Sequence, residues 1–244
     1  MIAPPDDLKA NSPFVLLVED FIQPQGDFHE HPHRGLETVT FVLSGEMEHG
    51  DHTGSRGVSQ PGDVQWMTAG RGIVHGGRPA NGTTVHVLQL WLNLPNAIRD
   101  SAPGTREQRR AAAVVDEGDG ITMRTYGLGD DPRWSVHPMT LRHLTSEEGG
   151  RIDVVVPGGE RMFLYVLEGK ASVASIEADA GDVVWLAVSE ESARLAIEAQ
   201  AGVNIVAYSG VPIDEAVVAG GPFVAGSQAE LQKSFQDFEQ GRFP

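Results

Sequence analysis

The 244-residue sequence contains no cysteine. That excludes disulfides, thiol nucleophiles and any zinc or iron–sulfur site built on cysteine sulfur. Basic residues are scarce: 18 Lys and Arg stand against 34 Asp and Glu, a net charge of −16. Phosphate backbones select the opposite footprint, so nucleic-acid binding is not expected, and the acidity itself reads as a solubility feature. No apolar run approaches the roughly 18 residues of a membrane-spanning helix, so no membrane association is expected. The opening stretch, MIAPPDDLKANSPF, lacks the basic and apolar regions of a secretory leader. A cytoplasmic protein is the expectation.

Glycine and proline are plentiful, 29 and 15 residues, and follow no repeat. Such punctuation implies many turns and short strands. Residues 38–43 (TVTFVL), 64–67 and 84–94 (TVHVLQLWLNL) alternate or run apolar between turn signals such as QPGD at 60–63, which predicts strands. A polar break covers 98–108. A second set of strands is predicted at 152–156, 162–167, 171–176, 183–188 and 203–207. Residues 227–238 carry Leu231, Phe235 and Phe238 at helical spacing after Ser227 or Gln228, predicting one C-terminal helix whose apolar stripe packs on the body. The two halves repeat each other: FVLSG at 41–45 precedes PGDVQWM, and YVLEG at 165–169 precedes AGDVVWL. The pattern is that of a duplicated β-barrel.

Seven of the nine histidines fall in the first 86 residues. The informative run is His29-Glu30-His31-Pro32-His33. On an extended strand alternate side chains share a face, so His31 and His33 point the same way and form two arms of a metal site. His75, after the Pro61-Gly62-Asp63 turn, is the candidate third arm. Neutral imidazole suits iron, nickel, copper, manganese or zinc alike. His137 and His143 lack this spacing and read as structural or surface residues. Trp66, Met67, Leu88 and Trp91 read either as cavity lining or as ordinary barrel core.

HPHRGLETVTFVLSGE, DHTGSRG, QPGDVQWMTAGRGIVH, LQLWLNLP and GPFVAGS together resemble the pirin family of two-domain cupins, from about Ser12 through Phe223. The resemblance implies an all-β fold of two tandem cupin-type barrels, packed face to face, with a short C-terminal helix. We expect an N-terminal cupin domain at 1–108 with the metal site, and a C-terminal one at 109–244 without ligands. In agreement, residues 158–163 (GGERMF), where the second barrel's ligands would lie, contain no histidine. It also implies one divalent transition metal, usually iron, held by His31, His33 and His75. The family's fourth ligand is a carboxylate two residues after the third histidine, and here that position is Gly77.

Three outcomes are open for that position. A water or a ligand oxygen takes it; another residue swings in, with Glu37, His29, His49 and His86 as candidates; or the site binds metal weakly or not at all. Two function classes attach to the family. One is quercetin 2,3-dioxygenase-type oxygenation of a flavonol, a small aromatic substrate whose 3-hydroxyl must lose its proton. With Gly77 in place of the carboxylate, Glu37 or a water has to accept that proton, so Glu37 is the candidate catalytic residue. Glu37 also reads as a satisfied polar residue on a neighbouring strand. The other class is a regulatory or redox-sensing binding protein with a protein partner. A monomer is the default for a bicupin, since duplication supplies the barrel pairing internally.

Overall fold

The structure is a computed structural model, describing residues 7–127 and 133–243. The first six residues of the opening stretch lie outside the described part. The first nine strands are β1 (Phe14–Ile22), β2 (Phe28–His33), β3 (Leu36–Ser44), β4 (Met47–Asp51), β5 (Arg56–Ser59), β6 (Val64–Thr68), β7 (Ile73–Pro79), β8 (Val85–Asn93) and β9 (Gly104–Gln108). They form a five-stranded sheet, β1-β8-β3-β6-β9, and a four-stranded sheet, β2-β7-β4-β5. All of their pairings are antiparallel.

Strand parity explains which side chains fill this barrel. On β3, Thr40 and Val42 line the inner cavity, and Gln65 on β6 and Gln89 on β8 join them. The opposite face of the same strands carries Val39, Phe41, Trp66, Leu88 and Leu90, all essentially fully buried. Each of these strands is therefore covered on both faces, which is why residues 38–43 and 84–94 are apolar almost throughout.

A second compact set follows: β10 (Val114–Glu117), β11 (Thr122–Tyr126), β12 (Met139–Ser146), β13 (Gly150–Val156), β14 (Arg161–Glu168), β15 (Lys170–Val173), β16 (Ile176–Asp179), β17 (Val183–Leu186), β18 (Ala193–Ala199) and β19 (Val203–Gly210). Its sheets run β10-β11-β12-β19-β14-β17 and β13-β18-β15-β16 around a core that includes Val154, Met162, Leu164, Val166 and Ile205. The predicted duplication is visible in the backbone. Gly45 after β3 and Gly169 after β14 adopt φ of 75° and 76°, a left-handed turn that costs a glycine nothing. One predicted strand, 171–176, is instead a hairpin. β15 ends at Val173, and Ala174 and Ser175 turn the chain with φ of 48° and 67°. Two positive φ values suit a two-residue hairpin loop, but neither residue announces it.

The chain ends in a short hairpin, β20 (Val218–Gly220) with β21 (Phe223–Ala225), and helix α1 (Gln228–Glu239). Ser227 caps α1 by accepting from the Glu230 amide, and the Glu230 carboxylate accepts from the Gly226 amide. The predicted stripe is buried only in part, although Phe235 does pack on Phe223. Leu231 is buried together with Ser234 and Asp237, whereas Phe235 and Phe238 remain partly exposed.

The compact units do not follow a single break after residue 108. Met1–Ala112, Arg133–Val136 and Ile213–Pro244 form one, and Ala113–Pro132 with His137–Pro212 form the other. The C-terminal segment belongs to the first because it is bonded there. Ser12 exchanges two hydrogen bonds with the Ile213 backbone, and β21 runs beside Arg34.

Candidate metal centre

The register of three strands builds the site. β2 lies against β7 with His31 opposite His75, and β4 lies against β7 with His49 opposite Gly77. Residues opposite one another in a ladder share a face, and so do residues two apart. His31, His75, Gly77 and His49 therefore all look into the barrel, where they border a cavity of about 40 Å³ with Phe28, Thr40 and Met47. His33, next but one to His31, joins them. The three expected ligands each offer one nitrogen within 4.8 Å of the others, and among the described residues no carboxylate belongs to that cluster.

Hydrogen bonds fix which nitrogens are available. His31 Nδ1 donates to the His29 carbonyl at 2.7 Å, and His33 Nδ1 donates to the Pro222 carbonyl at 3.1 Å. A neutral imidazole that donates from one nitrogen carries a lone pair on the other. Both Nε2 atoms are thus lone-pair bearers, and they face each other at 3.1 Å. Two lone pairs repel at that distance unless a proton or a cation lies between them. Imidazole nitrogens at about 2.1 Å from one ion and roughly at right angles are about 3 Å apart, so the observed edge fits a coordination polyhedron. His75 sharpens the argument. Both its ring nitrogens are buried and without a hydrogen-bond partner. An unsatisfied buried polar group costs about 1–3 kcal/mol, and a metal bond would relieve it.

Burial also keeps the rings neutral. It pushes the His33 imidazole down to about 3, reinforced by His31 and opposed by the Pro222 hydrogen bond. It lowers His75 strongly, reinforced by His33, His31 and His49. Neutral imidazole is the ligand form. Trp91 packs edge-on against His33 at 4.9 Å and donates to Gln89, which donates in turn to Thr40. Of the four residues considered for the cavity, Trp91 flanks the triad, while Trp66 and Leu88 lie on the opposite faces of their strands and Met67 packs with Leu36 and Ile73.

Of the two readings of Glu37, its surroundings match the satisfied polar residue on a neighbouring strand. It is fully buried on β3, but an odd number of residues from Thr40 and Val42, hence on the face away from the cavity. Its carboxylate accepts from Thr68 at 2.8 Å and from Ser135, and Arg106 stands 3.8 Å away. It touches no histidine in these contacts, and it acts as a structural anchor for residues 133–136. Burial raises its pKa, against the Ser135, Thr68 and Arg106 interactions. The folded state therefore favours the protonated form, and stability falls as pH climbs from the ordinary carboxylate range through the raised value. Glu37→Gln should flatten that decline in urea midpoints measured against pH, and should leave metal affinity within about two-fold.

The other candidates separate clearly. His29 is exposed beside Asp27, and His86 pairs with Glu19 at 2.7 Å. His137 bonds the Val211 carbonyl and His143 bonds Asn204. His49 is the one that stays near the site, with its ring 5.4 Å from that of His75. Its Nε2 lies 3.4 Å from Thr105 Oγ1 and 3.5 Å from Asp51 Oδ2, while Thr105 donates to Asp51 at 2.8 Å. Burial lowers the His49 pKa, against the opposing pull of Asp51. Two contributors escaped sequence reasoning altogether: Asp51, whose only signal is its even spacing from His49, and the Pro222 carbonyl, a backbone group inside the GPFVAGS motif.

A family model described as Pirin matches residues 4–92, and one described as the Pirin C-terminal cupin domain matches residues 141–244. Pirin-1 of Arabidopsis thaliana is 34% identical, across 97% of this chain and 85% of its own. A pirin-like protein of Caulobacter vibrioides is 36% identical, across 89% of this chain and 81% of its own. A crystal structure of quercetin 2,3-dioxygenase from Acinetobacter baumannii superposes with a TM-score of 0.86 at 28% identity, covering 96% of this chain and 87% of that one. With the histidine triad on one barrel face, the duplicated sheets and these matches in hand, the chain belongs to the pirin family of two-domain cupins.

Proposed function

We propose that this pirin binds one divalent transition metal, iron being the family's usual choice, through His31, His33 and His75, and uses it in quercetin 2,3-dioxygenase-type oxygenation of a flavonol. The observation that carries the metal reading is the pair of Nε2 lone pairs 3.1 Å apart beside the partnerless His75 ring. The oxygenase reading draws on the likeness to the Acinetobacter baumannii enzyme. When bound, the metal would supply a Lewis acid for the deprotonated flavonol oxygen.

The chain's own residues then have two tasks. His31 and His33 are aimed by the His29 and Pro222 carbonyls, which hold each ring in one tautomer. The proton of the flavonol hydroxyl falls to His49, not Glu37. With Nε2–H directed at Thr105 and Asp51, the free lone pair of His49 is on Nδ1, and burial keeps the ring neutral and able to accept. A flavonol cannot enter the 40 Å³ inner cavity, because drug-sized ligands need about 300 Å³ or more. Its ring system would bind outside, in an open groove of about 1080 Å³ that shares Phe28, His49, Gly76 and Gly77 with the cavity wall, with only the hydroxyl edge directed past His49 toward the triad.

The small cavity and the outward Glu37 favour a second reading, a metal-dependent regulatory protein that acts through a protein partner. Loading the purified protein with iron(II), then following the quercetin absorption band under air, separates the two. Turnover that vanishes with His49→Ala while bound metal persists is the result expected. Full metal occupancy without loss of the band would sink the oxygenase reading and leave the regulatory one. We further propose a monomer, found in the cytoplasm.

A further inference from the structure

The residues that follow His33 are held by the far end of the chain. Val224 N donates to the Arg34 carbonyl at 3.0 Å, and Arg34 forms a parallel bridge with Phe223. The approach is close enough to demand Gly35, since a Cβ there would lie 2.0 Å from the Val224 carbonyl oxygen. The Arg34 side chain reaches in the same direction. It donates Nε to the Arg71 carbonyl at 2.7 Å and NH1 to Asp237 on α1 at 2.9 Å, and it lies 4.5 Å from the centre of the Phe243 ring.

Asp237 is itself buried and held by Lys233, Arg34 and Arg242. Phe223 is fully buried against Phe235 and Phe243. The C-terminal segment is thus seated by charge, by packing and by backbone pairing on the two residues next to His33. It reaches His33 directly through the Pro222 carbonyl, which accepts from His33 Nδ1.

We infer that residues 222–243 position the metal centre, with the Pro222 carbonyl orienting His33 and the Arg34–Asp237 clamp holding that carbonyl in place. The inference rests on the proposal that the triad binds metal. Outer partners of metal-bound histidines are worth about 10–100-fold in affinity. Coupling of two equilibria is reciprocal. If docking of the segment tightens metal binding by some factor, metal must tighten docking by the same factor. A purely structural tail would not respond to metal.

The test uses cobalt(II) as the probe on the full-length protein. In the parent, hydrogen exchange at the Val224 and Ala225 amides should slow by about 10-fold on saturation with cobalt(II). Asp237→Asn, which keeps the shape but loosens the clamp, should raise the cobalt(II) Kd by about 10-fold and alter the visible ligand-field spectrum. Asp237→Glu should recover part of both. Cobalt(II) that binds the parent yet leaves exchange at 222–243 unchanged, with Asp237→Asn matching the parent's Kd, overturns the inference alone. A parent that binds no cobalt(II) overturns the metal reading beneath it. The exchange measurement needs no variant, so poor folding of Asp237→Asn leaves the test intact.

Discussion

His75→Leu is expected to reduce metal affinity by more than about 100-fold while leaving the metal-free protein as stable as before, or more so. The loss must exceed the 10–100-fold that outer partners carry, because a donor atom itself is removed. The gain comes from the same ring. Both His75 nitrogens are buried without partners, so in the metal-free state the imidazole is a liability of about 1–3 kcal/mol. Leucine has similar bulk and no polar atom to strand, and its neighbourhood on the cavity wall already includes Val42 and Met47. Titration calorimetry with zinc(II) or cobalt(II), paired with urea denaturation of the metal-free proteins, reads both halves. A leucine variant that is several kcal/mol less stable without metal would show that His75 has a partner of its own, contradicting its assignment as an empty-handed ligand.

Gly77→Glu, which restores the carboxylate of the family pattern, is expected to destabilise the metal-free protein by about 3 kcal/mol or more. A Cβ at position 77 would lie 2.6 Å from the Glu48 carbonyl oxygen and 2.6 Å from Met47 Cε. The methyl group of Met47 can swing away, but a ladder carbonyl cannot move without shifting β4, and overpacking of this kind costs about 1–3 kcal/mol. A carboxylate introduced beside the buried triad adds a desolvation penalty until a cation joins it. Metal at 100 times its Kd would return about 2.7 kcal/mol. Gly77→Glu should therefore show a much larger thermal shift on metal addition than the parent does. Met47→Ala in the same chain should recover part of the metal-free loss. Equal stability of Gly77→Glu and the parent would mean that β4 yields freely at Glu48.

These two residues also show where sequence reasoning reached and where it stopped. The shared face of His31 and His33 follows from strand alternation, and His75 from the family pattern. The three rings do cluster in the structure, and that they hold a metal is the proposal made above. Glu37 is open to two readings in the sequence, and its spacing from the histidines does not decide between them. It is four residues after His33, an even number, and on one continuous strand it would share the histidines' face. The chain does not stay on one strand. β2 ends at His33, Gly35 turns with φ of 78°, and β3 begins at Leu36, so the alternation restarts. The helix stripe is legible only in part, with Leu231 buried and Phe235 against Phe223. Leu231, Phe235 and Phe238 have the right spacing, but the burial of Asp237 depends on Arg34, some two hundred residues away, and no local periodicity carries that information. The Ala174–Ser175 hairpin escaped because its turn uses residues without a turn signature.

The discontinuous first unit has a consequence for how the protein is born. His33 and the carbonyl that aims it are 189 positions apart in the chain. At about 5–20 residues per second, a ribosome needs on the order of 10–40 s to travel from one to the other. All three histidines and all nine strands of the barrel that carries them emerge early, yet the Pro222 carbonyl that aims His33 is made only near the end of the chain. On the proposed metal reading, the nascent chain exposes all three ligands long before His33 has the carbonyl that orients it, so full-strength capture of the ion would wait for the end of translation.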